Sequence, residues 1–445
     1  MTVLVKTEES ILTAKSWLSS LTVLWQSLFG KTAWKSVLGL TDQAIVSGTN
    51  FLITVIVGRL CGINELGVYS LGFSIVILIV NMQESIIFVP YTVYVNHTPK
   101  ESRAQHAGSI FIQYCLFSIL AVICLIVSAT LFSTVFEYNR IASLIWVLAG
   151  ITPFILLREF GRRFAFANLH FASALIIDMG VVLILISGLV WLGLIAKLSA
   201  ITTYAVVGLA CAIVSLVWLS KFSKSMKVNW SDVKREIKRS LLFGRWVLAS
   251  QITGTFHGYL MFWMLALMIS TSATGAYTAC WAIVSIANPL ILGIGNVLAP
   301  RAARLYAESG SKEVRRVILK TTLLMGGVMI LFCVMMFLFG GELMSFFYGN
   351  DYEGFESTIR VLAMGIVLSA LTITVDIGLR IIEKPNKNFK ACLIGLGVTI
   401  VVGPYLVVQW GVLGAAYSML AGSMIALLVR WIAFLRLVDN SYSLD

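Results

Sequence analysis

Twelve apolar runs follow one another along this 445-residue chain, each long enough to carry a helix across about 30 Å of hydrocarbon. They fall at 37–57, 66–89, 109–135, 141–157, 171–196 and 201–220, then at 241–269, 274–298, 321–340, 357–379, 391–408 and 412–435. Lipid offers a backbone no hydrogen bonds, so segments of this kind must satisfy their own N–H and C=O groups as helices. With 59% hydrophobic and 12% charged residues a soluble core is excluded. The predicted fold is an all-α polytopic membrane protein.

The charges test that count. Sorted onto alternate faces of the twelve-span layout, 29 of the 33 Lys and Arg residues share one face, and the other keeps only Arg59, Arg140, Lys197 and Arg360. A missed or invented span would scramble this sort. The crowded face reads as cytoplasmic, with both termini on it, and the membrane as the cytoplasmic (inner) one. A formal net charge of +12 concentrated in such loops calls for no nucleic-acid partner.

Span one carries a polar load that lipid would not accept. Gln43, Ser47, Asn50 and Thr54 recur at i, i+4, i+7 and i+11, which puts them on one helical stripe. Such a stripe lines a helix contact or a cavity. The pattern returns 208 positions later, where Gln251 answers Gln43, Thr255 answers Ser47, Gly258 answers Asn50, and Gly275-Ala-Tyr277 answers Gly67-Val-Tyr69. Val147-Leu-Ala149 and Val361-Leu-Ala363 widen the offset to 214, as an outer-loop insertion near 348–354 would. The chain thus reads as a duplication, with two parallel six-span bundles at 37–220 and 241–436. A basic cytoplasmic linker at 221–240 joins them, and a short cytoplasmic tail follows at 437–445. Residues 1–36 lack a basic start and a long apolar core, and Ile11, Leu18, Leu21 and Trp25 share one helical face. They read as an amphipathic leader on the inner leaflet rather than a secretory signal.

Seven cysteines and four histidines show no ligand spacing, so neither metal nor cofactor is expected. No Walker A, GxGxxG, DxD or Ser-His-Asp pattern marks an enzyme.

The stretches Gly39-Leu-Thr-Asp-Gln43, Ser47-Gly-Thr-Asn-Phe-Leu52, Arg59-Leu-Cys-Gly62 and Leu66-Gly-Val-Tyr-Ser70 resemble the start of polysaccharide exporters and O-antigen flippases. These form a branch of the multidrug/oligosaccharidyl-lipid/polysaccharide (MOP) flippase superfamily. The likeness extends over nearly the whole chain as a six-plus-six layout, but only this hairpin and its copy at Gly275-Ala-Tyr277 look motif-like. It implies a MATE-like pair of bundles around a central cavity that opens alternately to either side. The implied cargo is an isoprenoid-diphosphate-linked oligosaccharide for surface polysaccharide such as the O-antigen of lipopolysaccharide. Glycan polymerase and glycosyltransferases are then candidate partners, beside membrane lipids.

Sugars need hydroxyl and amide partners, and the resemblance makes Gln43, Ser47, Asn50, Asn81, Gln251, Thr255, His257 and Asn288 the candidate cavity set. Interhelical hydrogen bonding is the structural alternative for each. Diphosphate needs cations. Arg245 at the cytoplasmic mouth of span seven is the candidate, with Arg301 and the Arg158, Arg162, Arg163 cluster behind it, and Arg59 would receive the headgroup outside. For ion coupling the candidates are Glu84, placed toward the outer end of span two, and Asp42. Asp42, near Lys35 and the inner interface, reads more simply as solvated, and Glu84 equally as a structural hydrogen bond. Pro289 and Pro300, around Gly293 and Gly295, mark expected bends. The competing readings are cation-coupled multidrug efflux, which Asp42 alone supports, and a glycan polymerase, which the longest outer loop, 341–356, is too short to serve.

Overall fold

The computed structural model describes residues 31–95, 99, 102–134, 139–222 and 230–440. The leader's amphipathic face, the first half of the predicted linker from 223 onward and the last tail residues lie outside them. The described helices are α1 (Lys31–Cys61), α2 (Ile63–Tyr94), α3 (Arg103–Thr134), α4 (Asn139–Ala167), α5 (Phe171–Leu194) and α6 (Ala200–Phe222). The second set is α7 (Trp230–Met268), α8 (271–309), α9 (311–348), α10 (Glu356–Ile381), α11 (385–410) and α12 (412–440). Gly310 and Gly411 separate α8 from α9 and α11 from α12, with φ of 73° and 54°. Few residues other than glycine adopt such angles.

Among the described residues, ten segments are long and apolar enough to cross a membrane, and the last of these, Pro385–Leu437, holds two spans on either side of Gly411. With α7 the total is twelve helices in two sets of six, in agreement with the sequence reading. The face that carries the α1–α2 turn is called outer below, following the charge sort.

The two copies of the Gly-X-Tyr motif meet where the bundles cross. A Cβ on Gly67 would collide with the Thr271 carbonyl and lie 3.1 Å from the Gly275 nitrogen; one on Gly275 would collide with the Ile63 carbonyl and lie 3.1 Å from the Gly67 nitrogen. Only paired glycines admit backbones this close. The reciprocity of the contact places the pseudo-twofold axis here, and it explains why this motif is the part of the repeat that survives in recognisable form.

Below the crossing, α2 and α7 pack antiparallel along one seam. Phe73 lies edge-on to Tyr259 with ring centroids 6.2 Å apart, Trp263 Nε1 donates to Ser74 Oγ over 2.9 Å, and Asn81 Nδ2 donates to Thr255 Oγ1 over 2.9 Å. At the inner end Gly244 sits so close to Ser85 that a Cβ would fall 2.7 Å from the Ser85 carbonyl oxygen. The first turns of α7, within the predicted linker, dock on the N-terminal bundle. Glu236 lies 3.7 Å from His106, and Arg239 covers the Tyr94 ring at 3.4 Å.

Two interruptions bend helices near this seam. Pro289 has no N–H and crowds the Ser285 carbonyl one turn earlier, and α8 tightens to a 3-10 turn at Ser285–Ala287. In α2, upstream of Pro90, the Val89 N–H bonds Glu84 and opens a π-helical turn at Glu84–Phe88.

Candidate functional site

The opposite seam, between α1 and α8, is open and holds a cavity of about 530 Å³. Ser47, Asn50 and Thr54 of α1 face Thr278, Ser285 and Asn288 of α8 across it. Six aromatic rings form the rest of the wall: Phe51, Tyr69, Phe73, Tyr259, Phe262 and Trp281. The stripe spacing on α1 is what aims its three polar groups the same way. None of the described residues lining this cavity carries a charge.

Its outer end is closed. Beyond the glycine crossing, the segment that shifts the repeat offset folds back onto α1. Tyr348 Oη donates to Thr54 Oγ1 over 3.2 Å, Tyr352 Oη to the Gly58 carbonyl over 3.0 Å, and Arg59 Nη1 to the Phe346 carbonyl over 2.6 Å. Tyr348 and Tyr352 are buried, which satisfies a polar tip at the end of a large apolar body.

A second cavity of about 330 Å³ lies inside the N-terminal bundle and shares Ser47, Asn50, Tyr69 and Phe73 with the first. Gln43 and Asn81 line it, as do Arg158, Glu159, Arg162 and Arg163. These charges form a closed network. Arg162 donates through Nη2 to Asp42 (2.7 Å) and through Nε to Asp178 (2.8 Å); Arg158 bonds Asp178 and, over 2.9 Å, Glu159; Arg163 donates to Glu84 over 2.8 Å. Three guanidinium groups therefore face four carboxylates, Asp42, Glu84, Glu159 and Asp178. Asp42 Oδ1 is buried without a hydrogen-bond partner.

The sequence candidates divide accordingly. The structure brings Gln43, Ser47, Asn50, Asn81 and Asn288 to one or other cavity wall. Gln251 is exposed and lines neither, and Thr255 is engaged by Asn81 in the closed seam. Repeat equivalence fails at Thr255, which answers Ser47 in sequence but is used at the contact of α7 with α2. His257 lies within the C-terminal bundle, its Nε2 3.1 Å from Thr399 Oγ1, rather than in the cavity. Arg245 and Arg301 are exposed on the inner stretches of α7 and α8, outside both cavities, and Arg59 is spent on the outer clasp.

Three expectations need correction. Asp42 is not solvated: it is 1% exposed and bound by Arg162. Glu84 is not near the outer end of α2, since it stands 21 residues beyond Ile63 and pairs with Arg163 at the inner end of α4. The Arg158, Arg162, Arg163 cluster is not a free phosphate cradle, because carboxylates from α1, α2, α4 and α5 neutralise it. Sequence reasoning missed the aromatic wall as well; its rings sit among many apolar neighbours with no periodic mark of their own.

A family model described as polysaccharide biosynthesis protein matches residues 92–356, more than half of the chain. The EPS I polysaccharide export inner membrane protein EpsE of Ralstonia solanacearum is 21% identical over 84% of this chain and 87% of its own length. The probable low-salt glycan biosynthesis flippase Agl15 of Haloferax volcanii is 22% identical over 47% of this chain, which spans 44% of that relative. Among solved structures, an inward-facing multidrug resistance MATE family transporter of the MOP superfamily superposes with a TM-score of 0.74 at 14% identity, covering 91% of this chain and 98% of that one. A MOP superfamily transporter from Pyrococcus furiosus follows at 0.68 and 14% identity, covering 91% and 94%. The chain therefore belongs to the polysaccharide biosynthesis protein family, built on the fold of the MOP superfamily.

Proposed function

We propose that this multi-pass membrane protein moves a lipid-linked oligosaccharide, an isoprenoid-diphosphate glycan, across the cytoplasmic membrane by alternating access, for surface polysaccharide biosynthesis. The observation that carries the reading is the cavity between the bundles, with amides and hydroxyls of α1 and α8 facing each other across it and aromatic rings around them. Polar groups at membrane depth are costly unless they meet one another, water or a cargo. Here Ser47, Asn50 and Asn288 face the cavity, while the hydroxyls of Thr54, Thr278 and Ser285 donate to backbone carbonyls of their own helices. The names of the two sequence relatives support a glycan cargo.

Both termini lie in the cytoplasm in this reading, and the glycan enters from the inner side while the outer crossing is closed. Gln43, Ser47, Asn50, Asn81 and Asn288 contact the sugar. Arg245 and Arg301 meet the diphosphate at the inner face, outside the cavity. Asp42 and Glu84 belong to a network with one carboxylate more than its arginines neutralise, and this surplus is where a proton or cation loads to drive the cycle.

Deletion of the gene is the direct test. Loss of surface glycan with accumulation of its lipid-linked precursor is expected; intact glycan with hypersensitivity to cationic drugs means multidrug efflux instead. Arg245→Ala is expected to abolish export without lowering the amount of protein in the membrane, and normal surface glycan in that variant removes Arg245 from the diphosphate site.

A further inference from the structure

We infer that the central cavity selects an uncharged oligosaccharide and that neither an acidic sugar nor the diphosphate enters it; the inference rests on the flippase reading above. Three features argue for it. First, none of the described residues on the cavity wall is ionisable near neutrality, while Asn50 and Asn288 offer donors and acceptors together. A carboxylate accepts hydrogen bonds only, and moving it into a low-dielectric site with no cation is strongly unfavourable.

Second, Trp281, Tyr259 and Phe73 stand on the cavity wall, and aromatic rings carry negative faces. They suit the weakly positive C–H face of a pyranose ring and repel an anion. Third, the adjoining N-bundle cavity gives no relief. Its arginines are already held by Asp42, Glu84, Glu159 and Asp178, and its formal charge is three positive against four negative. Glu159 lines that cavity beside the three arginines, so the wall sets positive and negative groups against each other.

The test titrates the purified full chain in lipid nanodiscs with maltohexaose and hexagalacturonic acid, following tryptophan emission. Maltohexaose is expected to bind at least about tenfold more tightly than hexagalacturonic acid, with Trp281→Leu weakening it by about tenfold. Asn288→Lys, which keeps Trp281, is expected to raise affinity for hexagalacturonic acid by about tenfold. Equal or tighter binding of a charged probe by the unmodified protein overturns the inference, as does failure to bind maltohexaose. Composition of the precursor that accumulates in a deletion strain separates the two readings. A neutral glycan supports the inference; an acidic glycan overturns it and leaves the flippase standing; no accumulation overturns both.

Discussion

Arg162 reaches carboxylates on two other helices, Asp42 of α1 and Asp178 of α5, and so ties three helices together at a buried point. Removing one partner of a buried ion pair leaves the other charge without compensation, typically at about 3–5 kcal/mol. Arg162→Met should therefore lower the thermal midpoint of the detergent-solubilised protein by many degrees. Asp42→Asn deletes the surplus charge while Arg162 keeps Asp178, and its midpoint is expected at or above that of the unmodified protein. Equal midpoints for the unmodified protein and Arg162→Met would remove the network from the account of stability. The sequence shows three arginines at the end of a helix, the usual mark of a cytoplasmic boundary, and nothing local reveals their partners. Asp42 stands 120 residues from Arg162, and only the packing of α1 against α5 brings it near.

Helix crossings depend on single positions where backbones touch. At the outer crossing Gly67 meets the Thr271 carbonyl and Gly275 meets that of Ile63, so a side chain at either place must push the bundles apart. Overpacking of this kind costs about 1–3 kcal/mol, enough to shift the balance between outer-closed and outer-open forms. Gly67→Val, combined with Ser47→Cys in a background without the seven native cysteines, is expected to make the new thiol reactive toward a membrane-impermeant reagent added outside. The same thiol beside an intact Gly67 should stay unreactive from that side. Equal reactivity in both would mean that the crossing does not close the cavity. The glycine pair is legible because only its residue type fits and because it occurs twice. The clasp made by Tyr348 and Tyr352 is not, since an insertion between spans looks like a tolerated loop until its tyrosines are seen buried on α1.

At the scale of the whole molecule, twelve spans and two halves are written in the sequence because lipid forces helix on every apolar run and the duplication repeats the same pattern. What repetition cannot predict is which of two equivalent seams closes. Gln251 and Thr255 mirror Gln43 and Ser47 in sequence, yet α7 is pressed to α2 while α1 and α8 stand apart around the cavity. A molecule built from two similar halves must break its symmetry to have an open side, and the loser of that choice cannot be read from either half alone. If alternation proceeds by rocking one bundle against the other, the α2–α7 seam must also change as the cavity turns outward. Asn81 and Thr255 touch across that seam, at 2.9 Å, so Asn81→Cys with Thr255→Cys places two thiols within reach of a short bis-thiosulfonate reagent, which joins them through disulfides and releases sulfinate. Linking them is expected to abolish whatever export the unlinked pair retains, and reduction to restore it. Export that continues at an unchanged rate with the pair fully linked would show that α2 and α7 travel as one body, and that the moving contact lies on the α1–α8 side alone.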